Sequence, residues 1–281
     1  MSLDGVEQCK KLEKLSIHGT RIESASALSD TSNLDEAEFS NCNQLKSLAA
    51  LSKHKRLRSL KILHASQLES VDFLAHLNNL ETLSIQFTPA GETFDFANVC
   101  RSKNLKSLQI GFFPKMENVD MLAKLQNLES LNLQYTKSEF SFENTAFNTD
   151  SLKSLKLKCC HGINTLDGLE NLDCLEELEI NWCVQLEDMD AIANMKSLKK
   201  LTIRNMISRS LPKLENLPNL VYLKIKGMPL LTDLNQLKGL KAPQLESIYI
   251  SDCRDLESVA ALASLERIDR LLCETLSLIH I

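Results

Sequence analysis

Hydrophobic residues recur along this chain with a period of about 23 residues, from Leu12 almost to the C-terminus. Each repeat opens on a leucine or isoleucine, and further apolar residues follow three and five positions later, as in LETLSI at Leu80. Alternation of apolar and polar residues predicts a short β-strand with one buried face. The repeats begin at Leu12, Leu34, Leu57, Leu80, Leu105, Leu128, Leu152, Leu175, Leu198, Leu220, Leu245 and Ile268. The predicted strands lie near 58–62, 81–85, 106–110, 129–133, 153–157, 176–180, 199–203, 221–225 and 246–250.

The second half of each repeat has an apolar residue at every third position. In the repeat that starts at Leu175, these residues are Leu186, Met189, Ile192 and Met195. This spacing favours short 3₁₀ or irregular turns, because an α-helix prefers a mixture of three- and four-residue spacings. Stacked repeats of this kind predict an α/β repeat solenoid shaped like a horseshoe, with a parallel β-sheet on its concave face and the turns on its convex face.

The strand blocks of the form LxxLxI and the return VDFLAHLNNL at 71–80 resemble leucine-rich-repeat proteins of the short, 22–23-residue class. That class includes phosphatase-regulatory subunits and bacterial internalins. The resemblance extends to Thr275 and implies a leucine-rich-repeat horseshoe, a fold whose members mostly bind other proteins.

One position departs from the pattern of this class. The ninth residue of each repeat is typically asparagine there, but no repeat of this chain has asparagine at that position. Four repeats carry a cysteine instead, namely Cys42, Cys160, Cys183 and Cys253. Because they share an inward position, we expect small buried core residues that make weaker hydrogen bonds in place of asparagine.

Both ends of the chain suggest a fragment of a longer protein. Residues 1–275 are expected to form one leucine-rich-repeat domain of about eleven complete repeats, cut within a repeat at each end and without polar caps. The last six residues, LSLIHI at 276–281, match the translation of a transposon-end adaptor used to prepare sequencing libraries. We interpret them as a sequencing scar.

Composition and charge argue against several classes of function. The net charge of −5 and the pI near 5.8 disfavour nucleic-acid binding, which needs a basic surface. The sequence has neither an apolar run of about 20 residues nor a signal peptide, so we expect no membrane association. Nine cysteines without paired spacing favour a reduced intracellular compartment. We therefore expect a cytoplasmic monomer.

Neither a catalytic site nor a metal site is predicted. The six histidines are scattered, and no serine is expected beside both a histidine and a carboxylate. Cys159, Cys160 and His161 lie one repeat from Cys183, but zinc usually needs four ligands from CxxC-type pairs. Cys160 and Cys183 are not expected to form a disulfide, because side chains on adjacent parallel strands point the same way. We expect no enzymatic activity and no cofactor.

The polar strand positions define a candidate partner-binding face. They are small and neutral in the middle repeats and mostly basic towards the C-terminus, apart from Glu177 and Glu179. The eighth residue is aromatic in four of five consecutive repeats, with Cys159 in the other, and these aromatic residues should line one edge of the sheet. The candidate partner-binding residues are Phe87, Phe112, Tyr135, Trp182, Lys156, Lys158, Arg204, Lys224 and Lys226. Two interpretations stay open: a docking groove for an acidic partner segment, or an ordinary solvated face whose aromatic residues are covered by loops.

These patterns predict a non-catalytic protein–protein interaction scaffold that binds a protein partner through the concave sheet face and the aromatic edge. Two alternatives remain at this point. One is a regulatory subunit of a phosphatase-like enzyme, which only the repeat type suggests. The other is the ligand-sensing arm of a larger receptor or effector whose other domains are missing.

Overall fold

The computed structural model describes residues 3–31, 33–86, 93–137, 139–143, 150–265 and 268–274. These residues form two compact units, Met1–Ser138 and Glu139–Ile281. The candidate site residue Phe87 and the interpreted scar at 276–281 lie outside the described residues.

The first unit contains a parallel sheet built from one strand of each repeat. Neighbouring strands pair in register, in the order β1-β2-β3-β4-β6-β8. β5 and β7 form a separate parallel pair, which the repeat pattern does not predict. The strands are β1 (Lys14–His18), β2 (Glu36–Ser40), β3 (Ser59–Leu63), β4 (Thr82–Gln86), β5 (Thr93–Asp95), β6 (Ser107–Gly111), β7 (Lys115–Glu117) and β8 (Ser130–Gln134).

The second unit has the same construction. Its strands pair in parallel and in register, in their order along the chain. They are β9 (Ser154–Lys158), β10 (Glu177–Asn181), β11 (Lys200–Arg204), β12 (Tyr222–Lys226), β13 (Ser247–Ser251) and β14 (Arg270–Glu274). All nine predicted strands are confirmed, each beginning one residue later than expected.

Short 3₁₀ helices form much of the return between strands, as the three-residue spacing predicts. None of the described helices is long and apolar enough to cross a lipid bilayer. In the first unit the 3₁₀ helices are Val6–Gln8, Ser26–Asp30, Ala49–Lys53, Asp72–His76, Phe96–Asn98 and Val119–Lys124. In the second unit they are Asp190–Asn194, Asn235–Leu237 and Ala260–Ser264.

Cysteine thiols take the place of the missing asparagines along the core. The Cys183 thiol donates to the Leu157 carbonyl of the preceding repeat at 3.5 Å, and the Cys42 thiol donates to the Ile17 carbonyl at 3.6 Å. Cys160 and Cys183 are two thiols joined by a hydrogen bond. This bond and burial raise the pKa of the Cys160 thiol. The expected weaker bonds at the ninth position are therefore confirmed.

His54 occupies a return position that is leucine in the next repeat, Leu77, and threonine in the preceding one, Thr31. Its side chain is buried, and its Nε2 atom donates to the Leu28 carbonyl at 2.9 Å. Its Nδ1 atom is also buried and has no hydrogen-bond partner among the described residues. Burial lowers the pKa of His54, because it disfavours the charged ring more than the bond to the Leu28 carbonyl favours it.

We expect His54 to make the fold less stable in acid. The unfolded chain takes up a proton below about pH 6.5, whereas the buried ring does so only at lower pH. The free energy of unfolding therefore falls as the pH drops through this range. Leucine at this position cannot take up a proton. The change in the free energy of unfolding caused by His54→Leu should therefore be more favourable at pH 5 than at pH 8, by on the order of 1 kcal/mol. Urea unfolding of both proteins at the two pH values measures the difference.

The leucine variant leaves the Leu28 carbonyl hydrogen-bonded, because the backbone and the hydroxyl group of Thr31 also donate to it. A pH dependence that is the same in the variant and the parent protein would contradict the assignment of this effect to His54.

Candidate partner-binding face

The residue that directly follows each strand of the repeat sheet is the eighth residue of its repeat, and these residues are referred to below as the turn column. Every described member of the turn column has a left-handed backbone. Trp182, Tyr135 and Phe112 have φ angles of 57°, 54° and 66°. Glycine adopts this conformation without strain and asparagine or aspartate tolerates it, but it is unfavourable for bulky side chains. The other members of the column are Gly19, Asn41, His64, Cys159, Asn205, Gly227 and Asp252. The aromatic residues therefore occupy positions where the backbone favours much smaller side chains.

In the first unit, two of these aromatic side chains contact each other. The rings of Phe112 and Tyr135 stack with their centroids 4.0 Å apart and an angle of 17° between their planes. Phe112 is half-buried, whereas Tyr135 is exposed. The outward positions of β4, β6 and β8 beside them are uncharged, as the sequence predicts. These positions hold Thr82, Ser84, Gln86, Ser107, Gln109, Gly111, Ser130, Asn132 and Gln134.

In the second unit, Trp182 is the exposed aromatic residue of the column. The residue keeps 51% of its full exposure. Its backbone N–H donates to the Arg204 carbonyl at 3.1 Å, which fixes the turn against the next strand. Asn181, which precedes Trp182, accepts a side-chain hydrogen bond of 2.8 Å from Asn205, the residue at the same position as Trp182 in the next repeat. Trp182 thus projects from a well-anchored turn at the end of β10.

Two carboxylates on β10 organise the cations of the adjacent strands. Glu177 contacts Lys200 at 2.8 Å and Lys156 at 3.3 Å. Burial alone would raise the pKa of Glu177, but the hydrogen bond from Lys200 and the charge of Lys156 outweigh it and lower the pKa. Glu179 lies 3.8 Å from Lys158 and 3.8 Å from Arg204. The two carboxylates therefore neutralise part of the basic face.

The two β12 lysines have different surroundings. The Nζ atom of Lys224 lies 4.5 Å from the ring centroid of Tyr249, a cation–π contact. The Nζ atom of Lys226 lies 3.4 Å from an Asp252 carboxylate oxygen. Burial and then the positive charges of nearby Arg204 and Lys226 lower the pKa of Lys224. Lys224 therefore lies in a locally positive environment.

The structure brings together only part of the predicted set. Lys156, Lys158, Arg204, Lys224 and Lys226 share the outward face of the second unit's sheet, and Trp182 lies at the end of one of its strands. Phe112 and Tyr135 belong to the first unit. The sequence prediction did not include Tyr249 and Asp252. Their positions in the repeat could have indicated them, because Tyr249 is at an outward position of β13 and Asp252 directly follows that strand. Among the described residues, no group of three histidine, cysteine or acidic side chains is arranged to hold a metal ion.

Two solved structures show what this fold is similar to. The internalin inlF from Listeria monocytogenes is 21% identical, with a TM-score of 0.74, and the match covers 95% of this chain and 75% of that protein. TLR13, in a complex with ssRNA13, is 17% identical with a TM-score of 0.67. That match covers 100% of this chain and 46% of the TLR13 chain. No family model and no curated protein matches. The likeness shows the leucine-rich-repeat fold, and the resemblance to phosphatase-regulatory subunits stays a prediction.

Proposed function

We propose that this chain is a non-catalytic interaction scaffold that binds an acidic segment of a protein partner on the sheet face of the second unit. The main support is the charge of that face. On the described strands β9–β12, the outward positions carry six basic residues against two acidic ones, although the whole chain has a net charge of −5. A basic surface on an acidic protein attracts acidic partners and disfavours others.

Trp182 supplies the apolar anchor in this proposal. Tryptophan is the residue type most enriched among the side chains that dominate binding energy, and this chain has a single one. It remains exposed at a backbone conformation that disfavours it, so a role other than packing accounts for its presence. We also propose a cytoplasmic location, because the core relies on thiols that a reducing compartment preserves.

A random peptide library displayed on phage tests this function. We expect selection at low salt to enrich acidic sequences, whose binding weakens as salt rises. Combining Arg204→Glu with Lys226→Glu should abolish the enrichment. The control variant combines Lys213→Glu with Lys238→Glu, two exposed residues outside the strands, and changes the net charge by the same amount. This control should preserve the enrichment of acidic sequences. Enrichment of neutral or basic peptides, or equal loss in both variants, would contradict the proposal.

A further inference from the structure

Three cations of the second unit lie close together on neighbouring strands. Arg204 on β11 is directly opposite Lys226 on β12, and Lys224 precedes Lys226 by two residues on the same face. Adjacent strands lie about 4.8 Å apart, and residues two apart along a strand are separated by about 6.6 Å. Long basic side chains at these positions can reach one small anion together. Arg204, Lys224 and Lys226 are referred to below as the cation cluster.

The hydrogen-bonding capacity of the cation cluster is only partly used within the protein. The guanidinium of Arg204 has Glu179 as its carboxylate neighbour at 3.8 Å, which is beyond normal hydrogen-bond range. Its Nε atom is buried and has no hydrogen-bond partner among the described residues. Because the Nε atom is buried, the donors of Arg204 that a ligand can reach are the terminal N–H groups of the partly exposed guanidinium. Lys224 lies over the ring of Tyr249, a contact that leaves its ammonium able to donate to an oxygen ligand.

The charges of this region also do not balance. The cation cluster carries three positive charges, and Asp252, the acidic partner of Lys226, carries one negative charge. Glu179 is shared between Lys158 and Arg204 and neutralises neither fully. A net charge of about +2 therefore remains. Burial is the main cause that lowers the pKa of Lys224, and the positive charges of Arg204 and Lys226 lower it further.

We propose that the cation cluster binds the phosphate group of a phosphorylated side chain in the partner's acidic segment. This inference rests on the proposed function, because it concerns the same face. A phosphate monoester carries −1.5 to −2 charges at pH 7 and three acceptor oxygens, which match both the charge and the unused donors. A carboxylate supplies only one negative charge. Phosphorylation of the partner would thus strengthen its binding to this scaffold.

The test compares oriented peptide libraries that share acidic flanks and differ in a central phosphoserine, serine or glutamate. The peptides lack tryptophan, so the fluorescence of Trp182, the single tryptophan of the chain, reports binding at this face. We expect the phosphoserine library to bind at least about tenfold more tightly than the serine library, the range of one charge-assisted contact. Arg204→Gln and Lys224→Gln should each remove most of this gain. Lys213→Gln, which removes the same charge from a return-segment ion pair, should retain it.

The possible outcomes separate this inference from the function on which it rests. If acidic peptides bind but phosphorylation adds nothing, the interaction scaffold stands and the phosphate site is wrong. If no acidic peptide binds, both are wrong. A gain that glutamate reproduces, or that survives in the Arg204 and Lys224 variants, overturns the phosphate site. Tighter binding of a single-stranded RNA oligonucleotide than of the phosphopeptides would also overturn it, because the cluster would then recognise a nucleic-acid backbone.

Discussion

Replacing Trp182 with asparagine is expected to weaken the binding of acidic peptides by about thirtyfold or more, the usual effect of removing an aromatic anchor. The stability of the protein should change little. The substitution removes a side chain that is already half exposed, and asparagine tolerates the left-handed backbone, as Asn205 does at the same repeat position. Fluorescence anisotropy with a labelled acidic peptide measures the affinity, and guanidinium unfolding followed by circular dichroism measures the stability.

Trp182→Ala provides the matched control. It removes the same ring but places an alanine at a φ of 57°, so it should lose the affinity and also about 1 kcal/mol of stability. A Trp182→Asn variant that unfolds at a much lower denaturant concentration, yet still binds the peptide as the parent does, would identify the ring as core packing. Adding Tyr135→Asn, at the same position of another repeat, asks whether a longer partner also uses the first unit.

Replacing Gly168 with alanine is expected to destabilise the second unit by about 3 kcal/mol or more. Gly168 has a φ of +92°, and a Cβ atom there would lie 2.3 Å from the carbonyl oxygen of Phe142. That distance is far inside van der Waals contact, and the opposing atoms belong to backbone, so the segment 139–143 would have to move. Large losses of stability are typical of such enforced overlaps. Guanidinium unfolding measures the change in the free energy of unfolding.

The variant Gly239→Ala is the control that distinguishes the cost of the Cβ clash from the cost of a positive φ. Its φ is +84°, but a Cβ atom there would meet nothing within 4 Å. Gly239→Ala should therefore cost only the backbone penalty, roughly 1 kcal/mol. Equal losses in the two alanine variants would show that the segment around Phe142 shifts at little cost in free energy.

The strands were predictable because a half-buried strand requires alternating apolar and polar residues, and this alternation is visible in the sequence. In β10, Leu178 and Ile180 are buried while Glu177 and Glu179 face outward, and the same alternation recurs in each repeat. The β5–β7 pair was not predictable, since its strands are three residues long and lie in irregular segments. There Phe94 is buried with its ring centroid 5.1 Å from that of Phe113, a tertiary contact that no local period encodes.

The candidate site was predictable as a list of residues but not as an arrangement. The turn column contains a further signal in its residue types. Gly19, Gly227 and Asn205 are residues that tolerate a positive φ, so their shared position already indicated a left-handed backbone. The contacts of the individual basic residues were not predictable from the sequence. Which of them meet Glu177 and Glu179 and which meet Tyr249 depends on side-chain directions, and these follow from packing against neighbouring strands.

The left-handed turn after the repeat strands also affects how substitutions can change the binding specificity of the protein. Its backbone N–H donates to a carbonyl of the neighbouring repeat under side chains as different as those of Gly19, Asn41, Phe112 and Trp182. Glycine, asparagine, aspartate, cysteine, histidine and three kinds of aromatic side chain all occupy the column among the described residues. Phe87 and Thr275 hold the same position in the sequence. A single substitution in this column can therefore change the recognition surface, whereas replacing a buried leucine with alanine removes core packing and costs about 2–5 kcal/mol of stability. At this edge of the sheet, the chemistry of recognition can change at a cost in folding stability that is small compared with that of a change in the core.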